Sequence, residues 1–362
     1  MRPLLTVVLA LTLGPGFARA EQVETAPSIE PVLERMVVDY VRPRYAGFSA
    51  AASELQASFE ALCANPSDLA LERARAAFRD AAGQWSRIEW LRLGAVMSKN
   101  RLERILFFPD RKGTGRKQVQ AAIAAKDDSV TDAASLASQS VAMQGLGALE
   151  FILFGSGSQA LAEGDASHRC LFGRAAATNT ANLSGELIAG WAQGSAYLTV
   201  FLKPGPDNPL FRTDLEALNV VLGQMIHGLE AIHDTRLGAF LDKENPARDR
   251  AKSALYWRSE MTLPSISAGV SGLEELFTRS GIEVVSQVLA PRLGDTIRFE
   301  FNQAIRTADS LDAPIDELLA DPQTREKLVY LAYAIKIIIG RLDREFAQAG
   351  GLAVGFSFGD GD

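Results

Sequence analysis

The chain is predicted to be all-α, built as two similar up-down helical bundles packed together, and three observations carry that expectation. Apolar residues recur at helical spacing through most of the chain. No sustained alternating run bounded by hairpin turns occurs, so strands find no support. The segment Lys203-Pro204-Gly205-Pro206-Asp207-Asn208-Pro209 is the strongest break, and long helical patterns fall on both sides of it. A set of antiparallel helices of this kind can close around one core in each half.

The elements follow in chain order. Met1-Arg2-Pro3 is a positive start, Leu4 to Leu13 is apolar, and Ala18-Arg19-Ala20 is a small-x-small cleavage site. Residues 1–20 therefore read as a signal peptide cleaved near Ala20, which sends the protein to the periplasm or outside the cell. The first bundle is expected over 21–205 and the second over 206–362. In the first, Val32, Leu33, Met36, Val37 and Tyr40 lead into Phe48, Leu55, Phe59 and Leu62. Asn65-Pro66-Ser67 breaks this run, and Ser67 or Asp68 can cap a second helix through Trp85 and Leu91. Further helices are expected over Ala133 to Phe154 and His168 to Leu202. Beyond the Pro-rich joint they are expected near Thr213 to Leu241, Met261 to Ser280, Ile282 to Leu311 and Ile315 to Ala349. An internal duplication is read from one echo: Gly145, Leu149 and Glu150 recur in spacing as Gly269, Leu273 and Glu274.

Composition excludes several classes. The 362 residues are 47% hydrophobic and 22% charged, which is neither a disordered nor a low-complexity make-up. A net charge of −7, from 37 Lys and Arg against 44 Asp and Glu, argues against a nucleic-acid partner. Three histidines and two cysteines cannot supply zinc fingers or a four-cysteine cluster, so a metal site must rest on carboxylates. No stretch has the roughly 18 apolar residues of a transmembrane segment. Cys63 and Cys170 are the whole cysteine complement. In an exported chain they are expected to form a disulfide, with two buried free thiols as the alternative.

The 105–118 loop, Phe107-Phe108-Pro109-Asp110 followed by Arg111-Lys112-Gly113-Thr114-Gly115-Arg116-Lys117, is read as the longest non-helical stretch. It lacks the Gly-x-x-x-x-Gly-Lys spacing of a nucleotide loop and is read as a surface loop with some anion affinity.

Several of these segments resemble the imelysin family of exported bacterial helical proteins. The matching pieces are Cys63-Ala64-Asn65-Pro66-Ser67, Trp85 with Glu89-Trp90 and Gly94, Phe107-Phe108-Pro109-Asp110 with Gly113, and Gln144 through Gly155. The likeness continues through His168-Arg169-Cys170 and Trp191, and more weakly through Asp234 to Gly238 and Ser265 to Phe277. The resemblance implies a two-bundle fold, an association with iron uptake, and a metallopeptidase as founding member. The family's Gly-x-His-x-x-Glu motif falls on Gly145, Gly147 and Glu150, with glycine where the histidine should stand. A glycine side chain ligates nothing, and hydrolysis needs a water activated on a held metal.

Glu150 is the only charge between Val141 and Phe154. It lies about 80° from the centre of its helix's apolar stripe, a boundary position where a carboxylate needs a partner. Either it contacts a ligand or metal facing the other bundle, or it pairs with a neighbouring helix. His227, Glu230 and Asp234, at i, i+3 and i+7, offer a second candidate metal face suited to zinc or iron. The apolar stripe of Leu218, Leu222, Met225 and Leu229 lies opposite His227, so the same face also reads as a solvated surface. Trp85, Trp90, Trp191 and Trp257 are expected in the core or at interfaces.

The resulting expectation is an exported, non-catalytic imelysin-like binding protein linked to metal acquisition, iron foremost. Its metal ion or small ligand would sit in the groove between bundles, against Glu150, Gly145, Gly147 and Asp110. A metallopeptidase with a non-standard site at His227 and Glu230 is one alternative. A scaffold that binds another exported protein of an uptake system is the other.

Overall fold

The computed structural model describes residues 30–164 and 167–352, and these are helical with connecting turns and no strand. The signal-peptide reading falls on residues outside the described ones. No helix among them is long and apolar enough to cross a membrane.

The chain begins as one rod of three contiguous segments: Glu30–Arg35, a π-wound Met36–Val41, and α1, Arg42–Ala64. Its buried face is the expected one, with Leu33, Met36, Tyr40, Phe48, Leu55, Phe59 and Leu62 all inside. Ser67 caps α2, Asp68–Ser86, by accepting the Ala70 N–H at 3.2 Å. The helix ends before Leu91, short of expectation, and the chain after it turns into the second half. Trp90 fills a gap there that glycine keeps open: a Cβ at Gly228 or Gly269 would stand 2.9 Å or 2.8 Å from its atoms.

The expected helix over Ala133 to Phe154 is broken. A turn at Ala133–Ala137 and a 3₁₀ turn at Val141–Met143 precede a separate helix, Gly145–Phe154, which follows α3, Thr114–Ala125, and is α4 here. The break is set by Gly145, whose φ of +64° and close approach to Arg104 and Ile105 exclude a side chain; a Cβ would lie 2.2 Å from the Ile105 carbonyl oxygen. The next helix, α5, Ser167–Gly190, stops short of Leu202, because Gly194 takes a positive φ and Ser195 caps a separate turn, Ala196–Phe201. A disulfide joins Cys63 near the end of α1 to Cys170 in the first turn of α5, across 107 residues of sequence.

The Pro-rich joint is itself folded. Asn208 Nδ2 donates to the Val200 and Lys203 carbonyls, and its Oδ1 accepts the Leu210 and Phe211 N–H groups. Beyond it, Thr213 caps α6, Asp214–Glu230, which passes into a π-wound segment, Ala231–Leu237. Then follow α7, Thr262–Arg279, α8, Leu293–Asp309, and α9, Pro322–Gly340. The expected helix over Ile282 to Leu311 is split before α8: Pro291 forces Ala290 into an extended conformation and ends the Ile282–Leu289 helix. Asp321-Pro322 likewise restarts the chain as α9, with Asp321 as its cap.

One apolar cluster runs through both halves, and α2 packs on α7 across the joint. The two copies of the internal echo occupy different places in their helices: Gly145 opens α4, whereas Gly269 lies in the middle of α7 against Trp90.

Candidate functional site

A cleft of about 1300 Å³ opens with α4 and the Phe107–Lys117 segment on one side and residues 234–239 and 250–260 on the other. Glu150, Gly147 and Asp110 line it; Gly145 does not. The first half therefore supplies one wall and the second half the other.

The Phe107–Lys117 segment is shorter as a loop than expected, since helix α3 already begins at Thr114. Asp110 is the reason. Its carboxylate accepts the Thr114 N–H at 2.6 Å and the Gly115 N–H at 2.9 Å, satisfying donors that a helix start leaves orphaned. Asp110 therefore stands at the cleft with both oxygens engaged by its own loop.

Helix α4 is fixed at both ends. Gly145 holds the first, and the buried Arg169 guanidinium donates to the Phe151, Ile152 and Ser156 carbonyls at the other. A cation there also complements the negative end of the helix dipole. Burial pushes the Arg169 pKa down to about 10. Gly147, one turn in, is exposed, and a Cβ added to it meets nothing within 4 Å.

Glu150 is more deeply buried than its boundary position implied, at 5% exposure. Its Oε1 accepts three hydrogen bonds from one loop of the second half: Arg258 N–H at 3.1 Å, Ser259 N–H at 3.2 Å and Ser259 Oγ at 3.2 Å. The Arg258 guanidinium stands 3.7 Å from Oε2. Burial raises the Glu150 pKa, against the pull of Arg258 and the Ser259 and Arg258 donors. The loop that meets it is unusual in its backbone, with both Tyr256 and Glu260 at a φ of +60°. A bulky residue rarely adopts that conformation, which persists where the surroundings hold it.

Beside this contact lies a second bridge between the halves. Arg236, in the π-wound turn, donates through Nη2 to both Glu89 oxygens at 2.6 Å, and the pair is almost wholly buried. Its guanidinium also stacks on Phe108, 4.7 Å from the ring centre. Burial raises the Glu89 pKa, opposed chiefly by Arg236. Tyr256 sits near both carboxylates. Burial raises its pKa well above the usual value, Arg236 opposes this, and Glu89 and Glu150 add to it. Tyr256 lines the cleft, and its hydroxyl is buried with no hydrogen-bond partner among the described residues.

The expected metal face on α6 does not assemble as one set. His227 Nδ1 meets Glu230 at 3.0 Å, but Asp234 pairs with His233 at 2.5 Å. The π-winding over Ala231–Leu237 adds a residue to the turn, so the i, i+7 register that joins His227 to Asp234 is lost. Asp234 reaches the cleft while His227 and Glu230 do not line it. No group of three or more His, Cys, Asp or Glu among the described residues is placed to hold a metal ion. At the Gly145–Glu150 motif, Gly147 brings no ligand atom, Glu150 Oε1 is already engaged and Oε2 faces the Arg258 guanidinium, so these residues do not fit a resident iron or zinc ion.

Sequence reasoning did not single out Glu89, Arg236, Tyr256, Trp257 or Arg258 as site residues. Glu150 and Arg258 are 108 residues apart, and no local pattern announces that they meet. Trp85, Trp90 and Trp191 are buried as expected, whereas Trp257 is half-buried in the cleft wall.

The Imelysin family model matches residues 41–339. The chain belongs to the imelysin family. It is 22% identical over 346 residues to iron-regulated protein A of Synechococcus elongatus, covering 92% of this chain and 89% of that one. Its fold is similar to the crystal structure of an imelysin-like protein from Psychrobacter arcticus, with a TM-score of 0.76, 18% identity, and coverage of 92% and 98%. A second crystal structure, of a protein described as an iron-regulated protein A precursor from Parabacteroides distasonis, gives 0.72, 13% identity, and coverage of 89% and 96%. These likenesses place the imelysin fold over almost all of the chain.

Proposed function

We propose that this imelysin-family protein is an exported binding protein of iron acquisition that holds its ligand in the cleft between the two halves without cleaving it. The observation that carries the reading is the cleft itself, lined from both halves and floored by Glu150 and the loop it holds. The iron link is supported by the names of the relatives in Synechococcus elongatus and Parabacteroides distasonis. Export is supported by the leader-like residues 1–20 and by the Cys63–Cys170 bridge, a bond favoured in oxidising compartments. Binding rather than hydrolysis is supported by Gly147 in the histidine position and by the engaged state of Glu150.

Two steps test this. The chain is purified without chelators or an affinity tag and its metal content measured. Iron salts and iron chelates are then titrated while fluorescence is followed in the wild type and in Trp257→Phe. Saturable quenching that Trp257→Phe removes supports the cleft as the site. Binding that leaves Trp257 unaffected, or metal-dependent cleavage of an unfolded protein, overturns the reading.

A further inference from the structure

The cleft has the opposite sign to the protein. The whole chain carries a net charge of −7, yet the cleft lining holds seven Lys and Arg against five Asp and Glu. Three of those five acids are engaged: Asp110 by two backbone N–H groups, Glu150 by the 258–259 loop, and Asp234 by His233. The two remaining, Glu260 and Asp316, are exposed. The engaged carboxylates are thus poorly available to ligate a cation, while the lining keeps its excess of basic side chains.

Two cations line the cleft from opposite halves. Arg116, on the first turn of α3, is exposed and makes no ion pair with a described residue. Arg258 lies over the Trp257 ring at 4.4 Å and the Phe151 ring at 5.6 Å. Both line one cavity, and their charges are coupled: burial lowers the Arg258 pKa, Glu150 opposes this, and the Arg116 charge adds to it. Like charges held together across a cavity repel, and an anion between them relieves that repulsion. Tyr256, whose buried hydroxyl has no hydrogen-bond partner among the described residues, is part of the same wall, and planar guanidinium forks suit carboxylate geometry. A bare metal cation meets the reverse: cations in the walls and no grouped free carboxylates.

We propose that the cleft takes a small polycarboxylate, free or chelating ferric iron, gripped between Arg116 of the first half and Arg258 of the second. This assignment rests on the cleft being the ligand site proposed above and names the chemical class of that ligand. Iron then arrives as an anionic chelate, and the protein contacts the chelator's oxygens.

The test is calorimetric titration of the full chain with sodium citrate, ferric citrate, inorganic phosphate, ferrous sulfate and zinc sulfate, each at low and high salt. Citrate or ferric citrate is expected to bind, more weakly at high salt. Arg116→Ala should weaken that binding about tenfold, and Arg116→Glu should abolish it. Lys336→Ala, exposed on α9, should leave it unchanged. Arg116 takes no part in the Glu150 contacts, so its variants should fold as the wild type does, which circular dichroism checks. Ferrous or zinc ions binding where both citrate forms fail overturns the anion assignment and leaves the cleft as a site. Phosphate bound as tightly as citrate overturns the polycarboxylate assignment. Unchanged citrate affinity in Arg116→Glu overturns the role of Arg116. Silence toward every anion and cation overturns this inference and the iron reading together.

Discussion

Two of the carboxylate–guanidinium bridges that join the halves lie at or beside the cleft, and they are built differently. In Glu89–Arg236 one guanidinium nitrogen lies 2.6 Å from each carboxylate oxygen, and both side chains are almost fully shielded from solvent. In Glu150–Arg258 the guanidinium stands 3.7 Å away and is partly open to the cleft, while backbone N–H groups and a serine hydroxyl hold the carboxylate. The first bridge leaves little for either partner to do but hold the halves together. In the second, loop donors hold Oε1 and the guanidinium stands off from Oε2 at 3.7 Å without a hydrogen bond, so the arginine can turn toward a ligand. A charge tied by a full partner is structural, and one whose partner is satisfied elsewhere is available.

The comparison breaks most directly at its stronger member. Glu89→Ala should destabilise the fold by about 3–5 kcal/mol, because it leaves Arg236 buried and unpaired. Denaturant unfolding measures this, and a loss as small as that of a surface mutation would put the two bridges in one class.

Glu150→Ala should cost about 1–3 kcal/mol, the penalty for stranding the loop's buried donors, and should loosen the segment carrying Arg258. Glu150→Gln retains an acceptor and should cost less. Its more telling effect is on pH. Burial raises the folded Glu150 pKa above its ordinary value of about 4.5, so the folded protein binds a proton more tightly than the unfolded chain. That contribution is fully present below about pH 4.5 and is lost as pH rises through the folded value. The stability difference between wild type and Glu150→Gln should therefore shift against the wild type as pH rises from about 4.5, and a flat difference would contradict the raised pKa.

Arg258→Ala sharpens the contrast from the other side. It should change stability by no more than about 1 kcal/mol, since a partly exposed, long ion pair contributes little. Ligand affinity should fall nonetheless. A large stability loss with unchanged affinity would make Arg258 a structural partner like Arg236.

Gly147 gives the smallest effect. Gly147→Ala should stabilise α4 by up to about 1 kcal/mol, because a Cβ there meets open space and glycine is a poor helix former. Gly147→His restores the family's motif residue and should fold, yet gain no stoichiometric zinc, because the 258–259 loop already holds Glu150. Zinc bound by that variant would show that the loop yields to a metal.

Much of the fold could be read from residue order because its causes are local. The apolar faces of α1 and α6 follow from spacing, and Ser67 and Thr213 cap their helices through contacts three residues away. The helix ends that were missed have local causes too, but weaker ones. Pro291 and Gly194 stop helices where apolar spacing continues past them, and Gly145 does so only because Arg104 and Ile105 crowd it. The π-winding after Glu230 leaves no compositional mark, and it separated Asp234 from His227.

The candidate site divides along the same line. Glu150 stood out in the sequence because a lone carboxylate in an apolar run must find a partner. Its partner did not, because the contact closes over 108 residues and depends on Tyr256 and Glu260 being held in left-handed conformations. Helix periods, caps and the availability of one cysteine pair are properties of near neighbours and of composition, and the amino-acid order settled them. Which carboxylates are engaged, which arginine is left facing the cleft, and the positive sign of that cleft in an acidic chain are sums over distant residues. Packing alone brought those residues together, since burial and charge act through space and not along the chain.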